Sequence, residues 1–430
     1  MAQSTHFLTN KYFLRNIFTN SAFLHLHAQR NISRILQKSL HNRPVTILGI
    51  ESSCDDTACG IVDEKGNILG EAHHSQHLMH LNFGGIIPNI AEEMHRKHVT
   101  KVCEDALLSA NRRLKDIDAV AATVKPGLPR SLEIGARFGK YLSRIGSKPF
   151  IPIHHMEAHA LTARMIEKVD FPYLVLLISG GHCLLAIVQD VDKYYLLGTT
   201  LDNAPGEIMD KIARRLKLRF IPEFQTLSGG LAIEMAARKA SSIDQFHFPP
   251  ILMSWNNCNF SFSGLYSNCM RSIIQQEQKY NIMGANTIPD VYNISAEFQL
   301  TLLTHVCQRT QRAMEFINKM ALIPAGKRTL VVSGGVASNN LLSQALRLLT
   351  SDLGYHFVRT PPKLCTDNGV MIAWNGIERW IADKGVIRDQ SLIDEVRVEN
   401  KSPLGEDWTE KVEKANVTCK WINIKDRLYR

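Results

Sequence analysis

One local pattern occurs twice in this chain and constrains its fold more than any other feature. Val45 to Glu51 (VTILGIE) is a short apolar run of the kind that forms a buried strand. A polar loop follows, Ser52-Ser53-Cys54-Asp55-Asp56, and Thr57 to Val62 reads as a second strand. Glu64-Lys65-Gly66-Asn67 then turns the chain into a third, Ile68 to Ala72. About 128 residues later the order returns: the strand Leu174 to Ile178, the loop Ser179-Gly180-Gly181-His182, the strand Cys183 to Val188, a turn at Asp190 to Lys193, and Tyr194 to Leu197. Such repetition points to two related halves. In each, the loop offers backbone N–H groups and short side chains where an anionic oxygen can sit.

Helical periodicity follows both units, over Ile90 to Leu108, Ser131 to Ile145, Gly206 to Leu216, Ala296 to Ala321, Leu341 to Leu353 and Gly369 to Ala382. A further strand, Thr329 to Val332, runs into Ser333-Gly334-Gly335-Val336. Strands and helices alternating around small-residue loops predict an α/β fold. Two halves that each open with a hairpin and such a loop describe the actin-like ATPase arrangement, two duplicated RNase H-like subdomains with a nucleotide cleft between them. The expected organisation is a presequence over 1–43, subdomain I over 44–165 with helices from about 366–400 returning to it, subdomain II over 166–365, and a tail over 401–430 that matches no motif.

The net charge of +9 belongs mostly to the first 50 residues, which hold Lys11, Arg15, Arg30, Arg34, Lys38 and Arg43 and no acid. The remaining 44 basic and 41 acidic residues leave a body too nearly balanced to argue for nucleic acid by bulk charge. A basic, acid-free leader with Arg15, Phe18, Phe23 and Leu26 at helical spacing has the composition of a mitochondrial presequence. Nine cysteines without a C-x-x-C pair suit free thiols in a reducing compartment such as the matrix. No segment offers about 18 unbroken apolar residues, so no membrane partner is expected.

The sharpest local chemistry is His154-His155-Met156-Glu157-Ala158-His159-Ala160. On a helix, His155 and His159 share a face and two imidazoles so placed can bind one divalent ion. Glu157 falls about 200° away from His155. In an H-E-x-x-H metalloprotease the Glu follows the first His directly, so this order disfavours a metallopeptidase. An isolated H-x-x-x-H is more often a pair of packed or surface histidines. Asp367, ahead of the Gly369 helix, reads by default as a cap and alternatively as a carboxylate third ligand. Asp210 has the position to accept ribose hydroxyls, Ser228-Gly229-Gly230 is a backbone open to close approach, and Asn339 offers amide groups for an adenine edge. Lys211, Arg214, Arg215, Lys217 and Arg219 are either a nucleic-acid patch or a solvated helix face.

These segments together resemble the universal tRNA threonylcarbamoyl-adenosine transferases, the TsaD-like family, and in particular its stand-alone mitochondrial members. The resemblance runs from about Thr46 to Ala382. It rests on Glu51-Ser-Ser-Cys-Asp-Asp-Thr-Ala58, Gly84-Gly85-Ile-Ile-Pro88 with His95, His155-Met-Glu-Ala-His159, Ile178-Ser-Gly-Gly-His182, Gly206-Glu207 with Asp210-Lys211, Ser261-Phe-Ser-Gly264, Ser333-Gly-Gly-Val336 with Asn339, and Thr366-Asp-Asn368. Lys125, Asn203, Pro205 and Tyr266 depart from the usual pattern.

The resemblance implies transfer of a threonylcarbamoyl group from threonylcarbamoyl-AMP to N6 of adenosine 37, in mitochondrial tRNAs that read codons starting with A. It implies one divalent cation per subunit, with iron, zinc and magnesium not distinguished, held by His155, His159 and Asp367. Leu177, Ile178, Ser179, Gly180, Gly181, Asp210, Gly230 and Asn339 would contact substrate and nucleotide. On the chemistry of the step, Asp55 or Asp56 is the candidate to accept the amine proton. The partners implied are the tRNA anticodon loop and a separate synthase that makes the donor, with a homodimer as one assembly the family allows. An actin-like small-molecule kinase is the competing reading.

Overall fold

The computed structural model describes residues 43–428 apart from positions 84 and 244. The expected presequence and its amphipathic helix lie outside the described residues. Thr46–Arg430 form one compact unit.

The first sheet has the order β3-β2-β1-β4-β5, built from β1 (Thr46–Glu51), β2 (Asp56–Asp63), β3 (Ile68–Ser75), β4 (Ala119–Lys125) and β5 (Phe150–His154). The pairs β1–β2 and β2–β3 are antiparallel, and β1–β4 and β4–β5 parallel. The second sheet uses β6 (Tyr173–Ile178), β7 (Cys183–Asp190), β8 (Lys193–Thr199), β9 (Thr329–Ser333) and β10 (His356–Arg359) in the order β10-β9-β6-β7-β8, with a short β11 (Glu406–Asp407) added at the edge. Again the hairpins are antiparallel and the crossovers parallel. Strand for strand, β6 to β10 repeat β1 to β5. This is the duplicated actin-like architecture, with one lobe on each sheet.

Both central strands are buried on both faces, as β1 and β6 show from end to end. In lobe I, α1 (Pro88–Ser109) and α2 (Pro129–Gly146) pack against the sheet, in part around Ile50, Val102 and Ala136. Lobe I is completed by α3 (His155–Leu161) and by a helix from far down the chain, Gly369–Ala382. A Cβ on Gly49 would lie 2.2 Å from the Ala373 nitrogen, and one on Gly369 would lie 2.2 Å from the Gly60 nitrogen. Backbone therefore meets backbone, which only glycine allows. The same helix buries Val370, Met371, Ile372 and Ile377, each contributing about 1.5–3 kcal/mol.

Most of lobe II comes from one stretch of the chain, with β11 and the buried Val412, Val417 and Ile424 added from the carboxy-terminal end. Its core gathers Leu176, Ile208, Ile233, Phe260, Phe298 and Leu346. The segment after Asp389, expected to return to subdomain I as far as about 400 and matching no motif over 401–430, runs over both lobes. Glu399 N–H donates to the Val124 carbonyl at 2.9 Å, and the Asn400 carbonyl accepts from Gly127 at 3.3 Å. Further on, β11 pairs with β8, Trp408 stacks on Tyr195 at 4.0 Å, and the buried Arg312 donates to the Val417 carbonyl at 2.8 Å. Among the described residues no helix is long and apolar enough to cross a membrane.

Candidate metal and nucleotide site

At the end of β5 the chain passes directly into α3, whose residues are all buried. The helical spacing puts His155 and His159 on one face, with ring centroids 4.7 Å apart and planes at 86°. Asp367 meets them from a position 208 residues beyond His159. Its Oδ1 lies 3.0 Å from His159 Nε2 and 3.4 Å from His155 Nε2. One donor atom from each residue falls within 4.8 Å of the others. Asp367 is free for this because Asn368 caps the following helix, accepting the Met371 N–H at 2.8 Å. Two imidazole nitrogens and a carboxylate oxygen converging at this spacing fit a divalent ion.

Behind the cluster stands Glu51, fully buried at the end of β1. Its Oε2 accepts from His155 Nδ1 at 3.1 Å and from the Thr123 hydroxyl at 2.6 Å. Sequence reasoning quoted Glu51 within a motif and gave it no role. Only the parallel β1–β4–β5 arrangement brings it to His155. A carboxylate on Nδ1–H turns the bare Nε2 toward the ligand position. Burial disfavours the charged His155 ring, but Asp367 and Glu51 push its pKa up to about 9. Burial likewise works against the Asp367 carboxylate, and the His155 and His159 imidazoles override it and hold the pKa well below the usual range. His182, from the β6–β7 loop, also faces this cluster, and burial pushes its pKa down to about 4.

Glu157 points the other way and pairs with Arg379 at 2.5 Å. Beside the cluster, burial and then the charges of Asp56 and Asp367 push Asp55 up to about 6. Asp56 sits 3.0 Å from His73 Nε2.

The second lobe contributes its loops. Leu177 and Ile178 end β6, and the Ser179 hydroxyl accepts from the Gly181 and His182 N–H groups at 3.3 and 3.1 Å. Gly180 and Gly181 face open space. Gly334, with φ of +101°, lies against Ile178, where a Cβ would come within 2.5 Å of the Ile178 carbonyl oxygen. Gly206, near the start of α4 (Pro205–Arg215), packs on Gly180. Asp210 lies one turn further on, against Gly229, where a Cβ would meet its Oδ1 at 2.3 Å. Gly230 is open by comparison, with only the Met209 side chain at 3.9 Å. Asn339 spends its carbonyl oxygen on the Leu342 N–H and Gln299, leaving its buried amide nitrogen without a protein partner.

The departures from the family pattern have local accounts. Pro205 takes the first position of α4, where its missing N–H costs nothing. Asn203 donates to the Ser263 hydroxyl at 2.9 Å, Lys211 lies over the Tyr266 ring, and Lys125 pairs with Glu399. In the basic run, Lys211 pairs with Glu207, and Arg215 and Lys217 with Glu277. Arg214 and Arg219 stay exposed.

A duplicated actin-like fold with small-residue loops beside a His-His-Asp cluster defines an α/β protein with a candidate metal centre. The family model for tRNA N6-adenosine threonylcarbamoyltransferase (TsaD) matches residues 67–374. The mitochondrial tRNA N6-adenosine threonylcarbamoyltransferase of Homo sapiens is 48% identical over 381 residues, 88% of this chain and 91% of its own. That of Danio rerio is 47% identical over 387 residues, 90% of this chain and 95% of its own. The tRNA N6-adenosine threonylcarbamoyltransferase of Rickettsia massiliae is 40% identical over 339 residues, 78% of this chain and 93% of its own. The chain belongs to the tRNA N6-adenosine threonylcarbamoyltransferase family.

Proposed function

We propose that this chain is the transferase that places threonylcarbamoyl on N6 of adenosine 37 in mitochondrial tRNAs reading codons that start with A, with threonylcarbamoyl-AMP as donor. The observation that carries the reading is the convergence of His155, His159 and Asp367 in a chain of this family. The kinase and metallopeptidase alternatives are not favoured, and Glu157, tied to Arg379, is turned away from the role a peptidase would give it.

In the reaction the N6 amine attacks the carbamoyl carbonyl. A C–N bond forms, the C–O bond to AMP breaks, and the amine proton goes to a base. Asp55 is the proposed base, with Asp56 beside it, because a carboxyl near 6 is ionised yet still basic at neutral pH. Gly180 and Gly181, with Ser179 and the ends of Leu177 and Ile178, are proposed to cradle the AMP phosphate with backbone N–H groups. Asp210 and the Gly230 backbone take the ribose, and the free amide nitrogen of Asn339 reads the adenine. When bound at His155, His159 and Asp367, a divalent ion supplies orientation and Lewis acidity to the donor oxygens. The donor set suits a first-row ion such as iron or zinc better than magnesium, and one ion per chain is proposed.

Adenosine 37 lies in an anticodon loop, so its extrusion into the cleft is cheap. A separate synthase supplies the donor, and a homodimer is the assembly to be tested by sedimentation. The site of action is the matrix, with 1–43 as presequence, 44–165 plus 366–400 as subdomain I, 166–365 as subdomain II and 401–430 as tail. The deciding experiment combines purified chain, tRNA, threonine, bicarbonate, ATP and a threonylcarbamoyl-AMP synthase, followed by nucleoside analysis. No threonylcarbamoyl-adenosine under metal-replete conditions would overturn the reading.

A further inference from the structure

The segment after Asp389 reaches the metal-bearing helix through one side chain. His154, 4% exposed, is the residue before α3. Its Nδ1 accepts the Met156 N–H at 3.2 Å, which caps the helix that carries His155 and His159. The Nε2 of the same ring lies 3.2 Å from the Ser402 carbonyl. Met156 N–H can only donate, so Nδ1 carries no proton and Nε2 must, which is what a carbonyl acceptor requires. One neutral tautomer thus joins the tail to the first turn of the helix.

Ser402 is itself held from both sides. Upstream, Glu399 and Asn400 bond to Val124 and Gly127, Lys125 pairs with Glu399 at 3.3 Å, and Lys140 donates to the Val396 carbonyl at 2.6 Å. Downstream, only Pro403, Leu404 and Gly405 separate it from β11. Leu404 is buried and Trp408 N–H donates to the Leu196 carbonyl at 2.7 Å. The carbonyl is therefore a fixed point, and His154 transmits that position to a helix of only seven residues.

We propose that His154 is a positioning residue for the metal-bearing helix, and that the carboxy-terminal tail sets its position through the Ser402 carbonyl. This rests on reading His155, His159 and Asp367 as metal ligands. A ligand pair on a short helix is sensitive to the rotation of that helix, because small displacements misdirect both Nε2 atoms at once.

The test uses full-length His154→Ala, His154→Asn, Glu399→Pro and the double variant His154→Ala/Glu399→Pro. Zinc affinity by competition titration, kcat and KM for transfer, and hydrogen exchange at the Met156 amide are measured on each. Asparagine offers an acceptor where Nδ1 sits but does not reach Ser402. Proline at 399 removes the N–H that bonds Val124 and the side chain that pairs with Lys125. The expected result is loss of about tenfold in zinc affinity for His154→Ala, with faster exchange at Met156 and a fall in kcat greater than any change in tRNA KM. His154→Asn regains Met156 protection without regaining zinc affinity. Glu399→Pro weakens zinc binding alone and adds nothing to His154→Ala, a non-additive cycle. Unchanged zinc affinity in His154→Ala overturns the proposal, and full affinity in His154→Asn or an additive cycle overturns the tail's part in it. Failure of the metal reading is separate, since His155→Ala would then bind as much zinc as the unaltered chain.

Discussion

Glu51 Oε2 lies 3.1 Å from His155 Nδ1, so the last residue of the first strand orients an imidazole 104 positions away. Glu51→Gln keeps the shape but removes the charge that favours Nδ1–H on the ring. The expected outcome is a chain that still folds, with zinc affinity down by about 10–100-fold, read by calorimetry beside circular dichroism.

The same contacts set a pH dependence. In the metal-free chain His155 is raised from 6.5 to about 9, so its stabilising contribution is whole below pH 6.5 and is lost as pH climbs through 9. Melting temperature of the metal-free chain should fall across that window. A bound ion must displace the His155 proton, so apparent zinc affinity should rise by about tenfold per pH unit between 7 and 9. A pH-independent affinity would contradict this.

Asp55→Asn and Asp56→Asn separate binding from transfer. With Asp55 as base, its Asn variant should bind donor normally and lose about 100-fold or more in transfer rate. Because Asp55 sits near 6, the rate in the unaltered chain should rise with pH through that value. An Asp55→Asn variant with normal transfer would remove the residue from the mechanism.

Gly49→Ala tests the seating of the returning helix. Its methyl would meet the Ala373 nitrogen at 2.2 Å, a collision with backbone that no rotamer relieves. A loss of about 3 kcal/mol or more is expected in urea unfolding. Gly85→Ala, where a Cβ meets nothing within 4 Å, is the control.

Arg214→Glu/Arg219→Glu should raise the KM for tRNA and flatten its salt dependence by about two units of slope if each meets a phosphate. Arg215→Ala should act on melting temperature instead, because Arg215 is spent on Glu277.

How much of this was legible follows from the range of each interaction. Duplicated strand grammar predicted the hairpin strands β1 to β3 and β6 to β8, and β9 was read beside them, because a buried strand announces itself in five or six consecutive residues such as Leu174 to Ile178. The strands β4, β5 and β10, which stand alone between helices, were not read. The i, i+4 pair of His155 and His159 was equally local. Asp367 was ambiguous by spacing, and the ambiguity lifts only when Asn368 is seen to take the cap. Glu51 was passed over because its partner comes through the pairing of β1, β4 and β5, a register no sequence window contains. The basic run looked uniform along the chain, while Glu277, from a different helix, neutralises part of it. Residues 401–428 gave no signal because they add short pieces to the fold, a two-residue strand edge and single buried side chains such as Val412, Val417 and Ile424, too few in a row to show a period.

The returning helix also fixes an order of assembly. Lobe II takes only an edge strand and a few core residues from the end of the chain, but lobe I lacks one covering layer until Gly369–Ala382 arrives. In a chain threaded amino-terminus first, β1 and β2 precede that helix by more than three hundred residues. The backbone of Gly369, Val370 and Ala373 is what finally closes over Gly49 and Gly60 on them. Asp367 comes in just ahead of that helix, so the three candidate ligands cannot meet until lobe I closes. The complete set of candidate ligands is thereby assembled only at the end of folding.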